Sequence, residues 1–275
     1  MTAPPVLHFG DTGALEMSEV VLKTENLSKS YSVKHKTIPA LKDLSLEIKR
    51  GEFVAIMGHS GSGKTTLLSI LGCLDKPTEG SVYLDGVNLA GLHGSQLSRI
   101  RRNKIGFVFQ SFNLLPYLNA KENVELAMES TGMSKSERSA RATELLALVG
   151  LSGREDHRPQ QLSAGEQQRV AIARALANNP SVILADELTG NLDGKTKYEI
   201  MKLLVKLNLQ GTTIVLVTHD QKVAAESERT IRLASGRIKS EGRGNLAKRK
   251  ENHPPNAKGT QVPEEIKADE FYDEG

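Results

Sequence analysis

The chain has 275 residues, 38% hydrophobic and 25% charged, which is enough apolar material to pack one large domain or two small ones. Its net charge of +3 is too small to point to nucleic acid as a partner, and a single cysteine, Cys73, excludes an internal disulfide and fits a reducing compartment. No apolar run approaches the roughly 18–20 residues needed to cross a bilayer. The first residues lack the charged start and apolar stretch of a secretory signal. The expectation is a cytoplasmic protein whose membrane work needs a spanning partner.

In chain order, residues 1–18 carry Pro4, Pro5, Gly10 and Gly13 without a sustained period and read as a flexible arm. Strands are predicted over 20–27, 40–48 and 52–57, with Tyr31 between the first two. A glycine loop and a helix over 64–72 follow. A turn at 76–80 leads to a strand over 81–84, which ends in the Asp85-Gly86 turn. A basic helix is expected over 95–103 and a buried strand over 105–110. From 111 to about 161 apolar residues recur at helical spacing, so this stretch reads as a helical insert. A helix over 166–177 ends before Pro180. Then come a strand over 182–185, a helix over 196–209, a strand over 213–218, a short helix over 221–226 and a hairpin about Ser235-Gly236. Residues 241–275 are polar, carry Pro254-Pro255, and read as a disordered tail. Within it, Lys248-Arg249-Lys250 reads as a solvated cluster rather than a lipid contact. Strands alternating with helices imply an α/β fold. Its parallel sheet is covered on both faces, and the early strands add an antiparallel piece.

The glycine loop is the centre of the chain. Residues 58–65, GHSGSGKT, fit G-x-x-x-x-G-K-[ST] between an apolar strand and a leucine-rich helix. A loop that wraps phosphate oxygens must turn backbone N–H groups inward, which requires residues with no Cβ in the way. The next helix aims its positive N-terminus at the same anion. Gly58, Ser60, Gly61, Ser62, Gly63, Lys64, Thr65 and Thr66 are therefore the candidate nucleotide-binding residues. Lys64 is expected to reach the β- and γ-phosphates, and the Thr65 hydroxyl to ligate Mg²⁺. A second motif, VILADE over 182–187, places two carboxylates at the end of a buried strand. Asp186 is expected to hold Mg²⁺ through water. Glu187 is the candidate general base for water attacking the γ-phosphate.

The run LSAGEQQRVAIARAL at 162–176 resembles the signature motif of the ATP-binding cassette (ABC) ATPases, and it is followed by ADE and NLD as in that family. The resemblance covers residues 20–240. It is most similar to the ATPase subunits of lipoprotein-release and macrolide-export transporters. It implies a P-loop ATPase domain over 19–240, with an antiparallel β subdomain and a helical subdomain at about 111–161. It also implies roles. Tyr31 matches the aromatic that stacks on adenine. Gln110 matches the glutamine that contacts Mg²⁺ and the attacking water, and residues 111–118 match the groove that receives a permease. His219 matches the histidine that contacts the γ-phosphate and orients Glu187. Ser163 and Gly165 match the signature residues that reach ATP bound by the opposite copy, in a head-to-tail dimer that Asp193 would cross. Arg169 and Arg174 receive no catalytic role. Ala164 stands in place of a glycine and Leu188 in place of a proline, and the leucine is expected to loosen the link from Glu187 to Asp193.

The function implied is ATP hydrolysis, with ATP and Mg²⁺ as cofactors. It drives a separate permease on the inner face of the membrane for export or extraction of a lipid-linked or hydrophobic substrate. One rival is a nucleotide-gated scaffold with little turnover. Another is a soluble ABC protein of DNA repair or translation. The short span from Gln110 to Leu162 leaves no room for the long coiled coil of the repair type, and the chain carries one cassette where the translation type carries two.

Overall fold

The computed structural model describes residues 19–33 and 36–252. The expected arm at 1–18 and residues 253–275 of the expected tail lie outside the described residues. The chain opens with β1 (Val20–Val33), β2 (Lys36–Lys49), β3 (Phe53–Met57) and α1 (Lys64–Leu71), then β4 (Glu79–Leu84) and β5 (Val87–Asn88). The middle holds α2 (Gly94–Lys104), β6 (Ile105–Phe109), α3 (Ala120–Glu125), a 3-10 turn over Leu126–Met128, and α4 (Lys135–Leu148). The rest is α5 (Ala164–Leu176), β7 (Val182–Asp186), α6 (Gly194–Leu209), β8 (Ile214–Thr218), α7 (Gln221–Ala225), β9 (Arg229–Ala234), β10 (Arg237–Arg243) and α8 (Asn245–Asn252).

Two sheets result. The larger has the order β10-β9-β3-β8-β7-β6, parallel throughout except for the β9–β10 hairpin. The smaller is antiparallel, in the order β2-β1-β4-β5. Alternation along the central strands divides the core. On β8, Ile214 and Leu216 face the core shared with α3, α4, α5 and α6, while Val215 and Val217 face α1 and the antiparallel sheet. Both faces of the sheet are thus covered at β3, β6, β7 and β8, and those strands read as apolar runs for that reason.

The fold class follows the sequence pattern, and several boundaries differ from it. The first hairpin is longer than predicted, because Tyr31 pairs with Ile38 and Ser32 with Thr37. These arms are exposed at Tyr31, Ser32, Lys36, Thr37 and Ile38, so backbone bonds extend them without the alternation that burial of one face would impose. Within the expected helical insert α4 begins at Lys135, because Ser134 caps it and Glu137 closes a capping box. The disordered tail predicted from 241 is corrected at its start, since β10 runs to Arg243 and α8 follows. Leu246 is fully buried against the helical-side core, and Lys250 Nζ pairs with Glu228 at 2.6 Å and donates to the Gly51 carbonyl. Among the described side chains of this polar octapeptide, two buried apolar groups and one ion pair leave little periodicity to read.

Candidate active site

β3 delivers the glycine loop to the N-terminus of α1. A Cβ on Gly58 would press on Ser62 Oγ and lie 2.5 Å from the Leu233 carbonyl. Gly63 has φ +102°, and a Cβ there would lie 2.6 Å from the Ala40 carbonyl. These positions admit only glycine. Lys64 is buried, and its ammonium donates to the carbonyls of Gly58 (2.8 Å) and His59 (3.0 Å). The cation is thereby held over the loop. Ser62 Oγ is buried without a hydrogen-bond partner. Thr65 is exposed, and Ser60 and Gly61 form the open rim. A tight backbone cradle with a fixed cation, at a helix N-terminus, suits a polyphosphate.

Asp186 ends β7 beside Phe109 of β6 and Val217 of β8. Burial pushes its carboxyl up, the charge of Glu187 adds to the shift, and the charge of Lys64 opposes it. A carboxylate in that field favours a cation. The oxygen donors of Thr65, Asp186 and Gln110 suit Mg²⁺, which takes one or two carboxylates and leaves its other positions to water and phosphate. Among the described residues no three His, Cys, Asp or Glu side chains gather as a metal site.

Glu187 has φ +44°, an uncommon backbone for a residue with a side chain. Its N–H donates to the Val217 carbonyl at 2.9 Å, and its carbonyl accepts from Gly190 at 2.8 Å. Its Oε1 lies 3.0 Å from His219 Nδ1. Leu188 is 1% exposed within the helical-side core, so burial of its side chain supplies a restraint on this turn where looseness was expected. Gln110 Nε2 donates to Asn191 Oδ1, and Asn191 Nδ2 donates to the Gln110 carbonyl, both at 3.2 Å. Asp193 caps α6: Oδ1 accepts from Thr196 N–H and Oδ2 from its hydroxyl at 2.6 Å.

The remaining candidates lie at two other places. The Tyr31 hydroxyl donates to Asp75 Oδ2 at 2.8 Å, and Lys29, itself paired with Asp75, sits 4.8 Å from the ring centre. Burial pushes the Tyr31 phenol up, Asp75 adds to this, and Thr66 opposes it. Ser163 caps α5 and shares a capping box with Glu166. Ala164 is the first residue of α5 and takes helical backbone without strain. Gly165 is buried, and a Cβ there would lie 2.5 Å from the Thr196 methyl, so its bareness also lets α5 approach α6. Asp75, Asn191 and Thr196 went unread in the sequence. Each acts through a partner, and for Asp75 and Asn191 that partner is 44 or 81 positions away.

A family profile described as ABC transporter matches residues 41–190. An uncharacterized ABC transporter ATP-binding protein of Methanocaldococcus jannaschii is 55% identical over 226 residues, 80% of this chain and 96% of that protein. The chain belongs to the ABC transporter family. It is an ABC ATPase, and it is the ATP-binding part of a transporter. The macrolide export ATP-binding/permease protein MacB of Marinobacter nauticus is 49% identical over 79% of this chain, which spans only 34% of that protein. Among solved structures, a dimeric post-hydrolysis state of the ATP-binding cassette MJ0796, bound to ADP and Pi, matches with a TM-score of 0.74 and 53% identity. That match covers 81% of this ABC ATPase and 98% of the other chain. Among the described residues of the ATPase, no helix is long and apolar enough to cross a membrane.

Proposed function

We propose that this ABC ATPase works as two copies head to tail on a separate membrane-spanning permease, exporting or extracting a lipid-linked or hydrophobic molecule. The observation that carries the coupling is the segment after β6. It begins at Gln110, whose amide lies on the turn that carries Glu187, and it reaches Tyr117, which is 66% exposed. A partner that moves this segment moves a group beside the candidate base. The dimeric cassette MJ0796 supports the two-copy assembly, and the macrolide export ATP-binding/permease relative supports a permease and export.

The residues divide the work. Lys64 and the loop N–H groups neutralise phosphate charge, and the adenine stacks on Tyr31. Thr65, Asp186 and Gln110 would hold Mg²⁺, which would draw charge from the phosphate oxygens. Glu187 orients the attacking water and takes its proton, while His219 holds the carboxylate in place. Ser163 at the N-terminus of α5 approaches the γ-phosphate of the other copy, where a helix N-terminus attracts the anion.

Two experiments test this reading. Co-expression with a membrane permease that co-purifies with it should raise Mg-ATP hydrolysis several-fold, and Tyr117→Asp should remove that stimulation. Equal stimulation of the variant would sink the docking segment. Tyr31→Leu should weaken ATP binding about three- to tenfold, the worth of one aromatic stacking contact. Unchanged affinity in an ATP titration would remove Tyr31 from the base site.

A further inference from the structure

Arg174 lies on α5 and has no carboxylate partner among the described residues. Its guanidinium donates instead to two backbone carbonyls, those of Phe112 (2.9 Å) and Asn113. Burial pushes this guanidinium down. Both residues it grips have left-handed backbone, φ +59° at Phe112 and +52° at Asn113. Two consecutive residues with side chains in that region persist only where their surroundings hold them. Further along, Asn123 is fully buried and holds the same segment from α3. Its Oδ1 accepts from Leu115 N–H, and its Nδ2 donates to the carbonyls of Leu115 and Leu118. The segment between Gln110 and Tyr117 is thus clamped by two side chains that hydrogen-bond to its backbone.

The position of the first clamp matters. Arg174 is three turns along α5 from Ser163, roughly 16 Å at the rise of an α-helix. The planar fork of arginine suits two adjacent carbonyls, which the point charge of lysine does not match. We propose that Arg174 is a positioning residue for ATP hydrolysis. It locks the left-handed backbone after Gln110 to the helix that carries Ser163, so that the glutamine and the signature serine move as one body. This rests on the proposed roles of those two residues.

The test compares wild type with Arg174→Met, Arg174→Lys and Arg174→Met/Asn113→Gly. The readouts are kcat and KM for Mg-ATP, melting temperature, and amide hydrogen exchange over 111–118. Arg174→Met should lower kcat about tenfold and leave KM within about twofold, with faster exchange confined to 111–118. Arg174→Lys should recover little. Asn113→Gly should restore at least a third of the lost kcat, because glycine takes positive φ without a clamp. An unchanged kcat and exchange pattern in Arg174→Met overturns the proposal. So does a loss that Asn113→Gly fails to recover at unchanged melting temperature. Should Arg174→Met fail to fold, Arg174→Lys with and without Asn113→Gly is read by the same criteria. The exchange readout is independent of turnover, so failure of the catalytic reading at Glu187 would leave the clamp separately judged.

Discussion

Glu187→Gln is expected to cut Mg-ATP turnover by roughly 10²- to 10⁴-fold, the usual contribution of a positioned general base, while ATP binding stays within about twofold. The glutamine amide keeps the shape of the carboxylate and loses its charge and its capacity to take a proton. The backbone gives it no reason to move. Its N–H and carbonyl are bonded to Val217 and Gly190, and buried Leu188 anchors the next position. The strained φ of +44° is therefore imposed by the surroundings and is the same for either side chain. Nor does the change reach the glycine loop, whose lysine is held by the carbonyls of Gly58 and His59. Phosphate release under multiple turnover and an ATP titration separate the two effects. Turnover within tenfold of wild type would remove Glu187 as the base. With hydrolysis blocked, Mg-ATP should also accumulate a two-copy species in size-exclusion chromatography. A species that stays monomeric at saturating ATP would count against the head-to-tail assembly.

The parts of the site legible in the sequence are those whose chemistry is local. The glycine loop is legible because its steric demands fall on neighbouring positions, as at Gly58 and Gly63. The Asp186-Glu187 pair is legible because an apolar strand leads straight into it. The signature helix announces itself through Ser163 and Glu166, three residues apart. What stayed hidden is made of hydrogen bonds between residues distant in the chain. Asp75 orients Tyr31, Asn191 holds Gln110, and Arg174 grips Phe112 and Asn113, and none of these pairs leaves a periodic trace. The same holds for the fold. The buried strands of the parallel sheet declare themselves as apolar runs, whereas the exposed end of the first hairpin and the mostly polar α8 rest on backbone pairing and a few tertiary contacts.

Asp85→Asn is expected to be the most destabilising single-atom exchange away from the site, at about 2–4 kcal/mol. Asp85 sits in the two-residue turn between β4 and β5, with φ +49°, a conformation that asparagine adopts as readily as aspartate. The backbone is therefore indifferent to the exchange and the charge carries the effect. Arg50 donates to Oδ1 at 2.8 Å, Lys104 approaches Oδ2 at 3.1 Å, and the Ser181 hydroxyl donates to that same oxygen. One carboxylate thus joins the end of β2, the end of α2 and the approach to β7, tying the antiparallel sheet to the parallel one. Its side chain is only 18% exposed, and Arg50 Nε is already buried without a partner, so losing the charge leaves a poorly solvated guanidinium unpaired. The figure lies below that of a fully buried pair because Lys104 is nearly half exposed. Burial opposes ionisation of Asp85, but the hydrogen bonds from Ser181, Lys104 and Arg50 outweigh it and hold the carboxyl below its ordinary range. A depressed folded value means the unfolded chain binds the proton more tightly. The stabilisation is therefore complete above about pH 4, the ordinary aspartate range, and is lost as pH falls through the folded value. Wild type should melt roughly 5–10 °C above the variant at pH 7, with the gap closing only below the ordinary carboxylate range. Asp43→Asn is the contrasting case, since its 4.0 Å approach to Arg237 joins two side chains more than half exposed. That change should cost no more than about 0.5 kcal/mol. Equal melting temperatures for the two variants would show that Asp85 is a surface charge like any other.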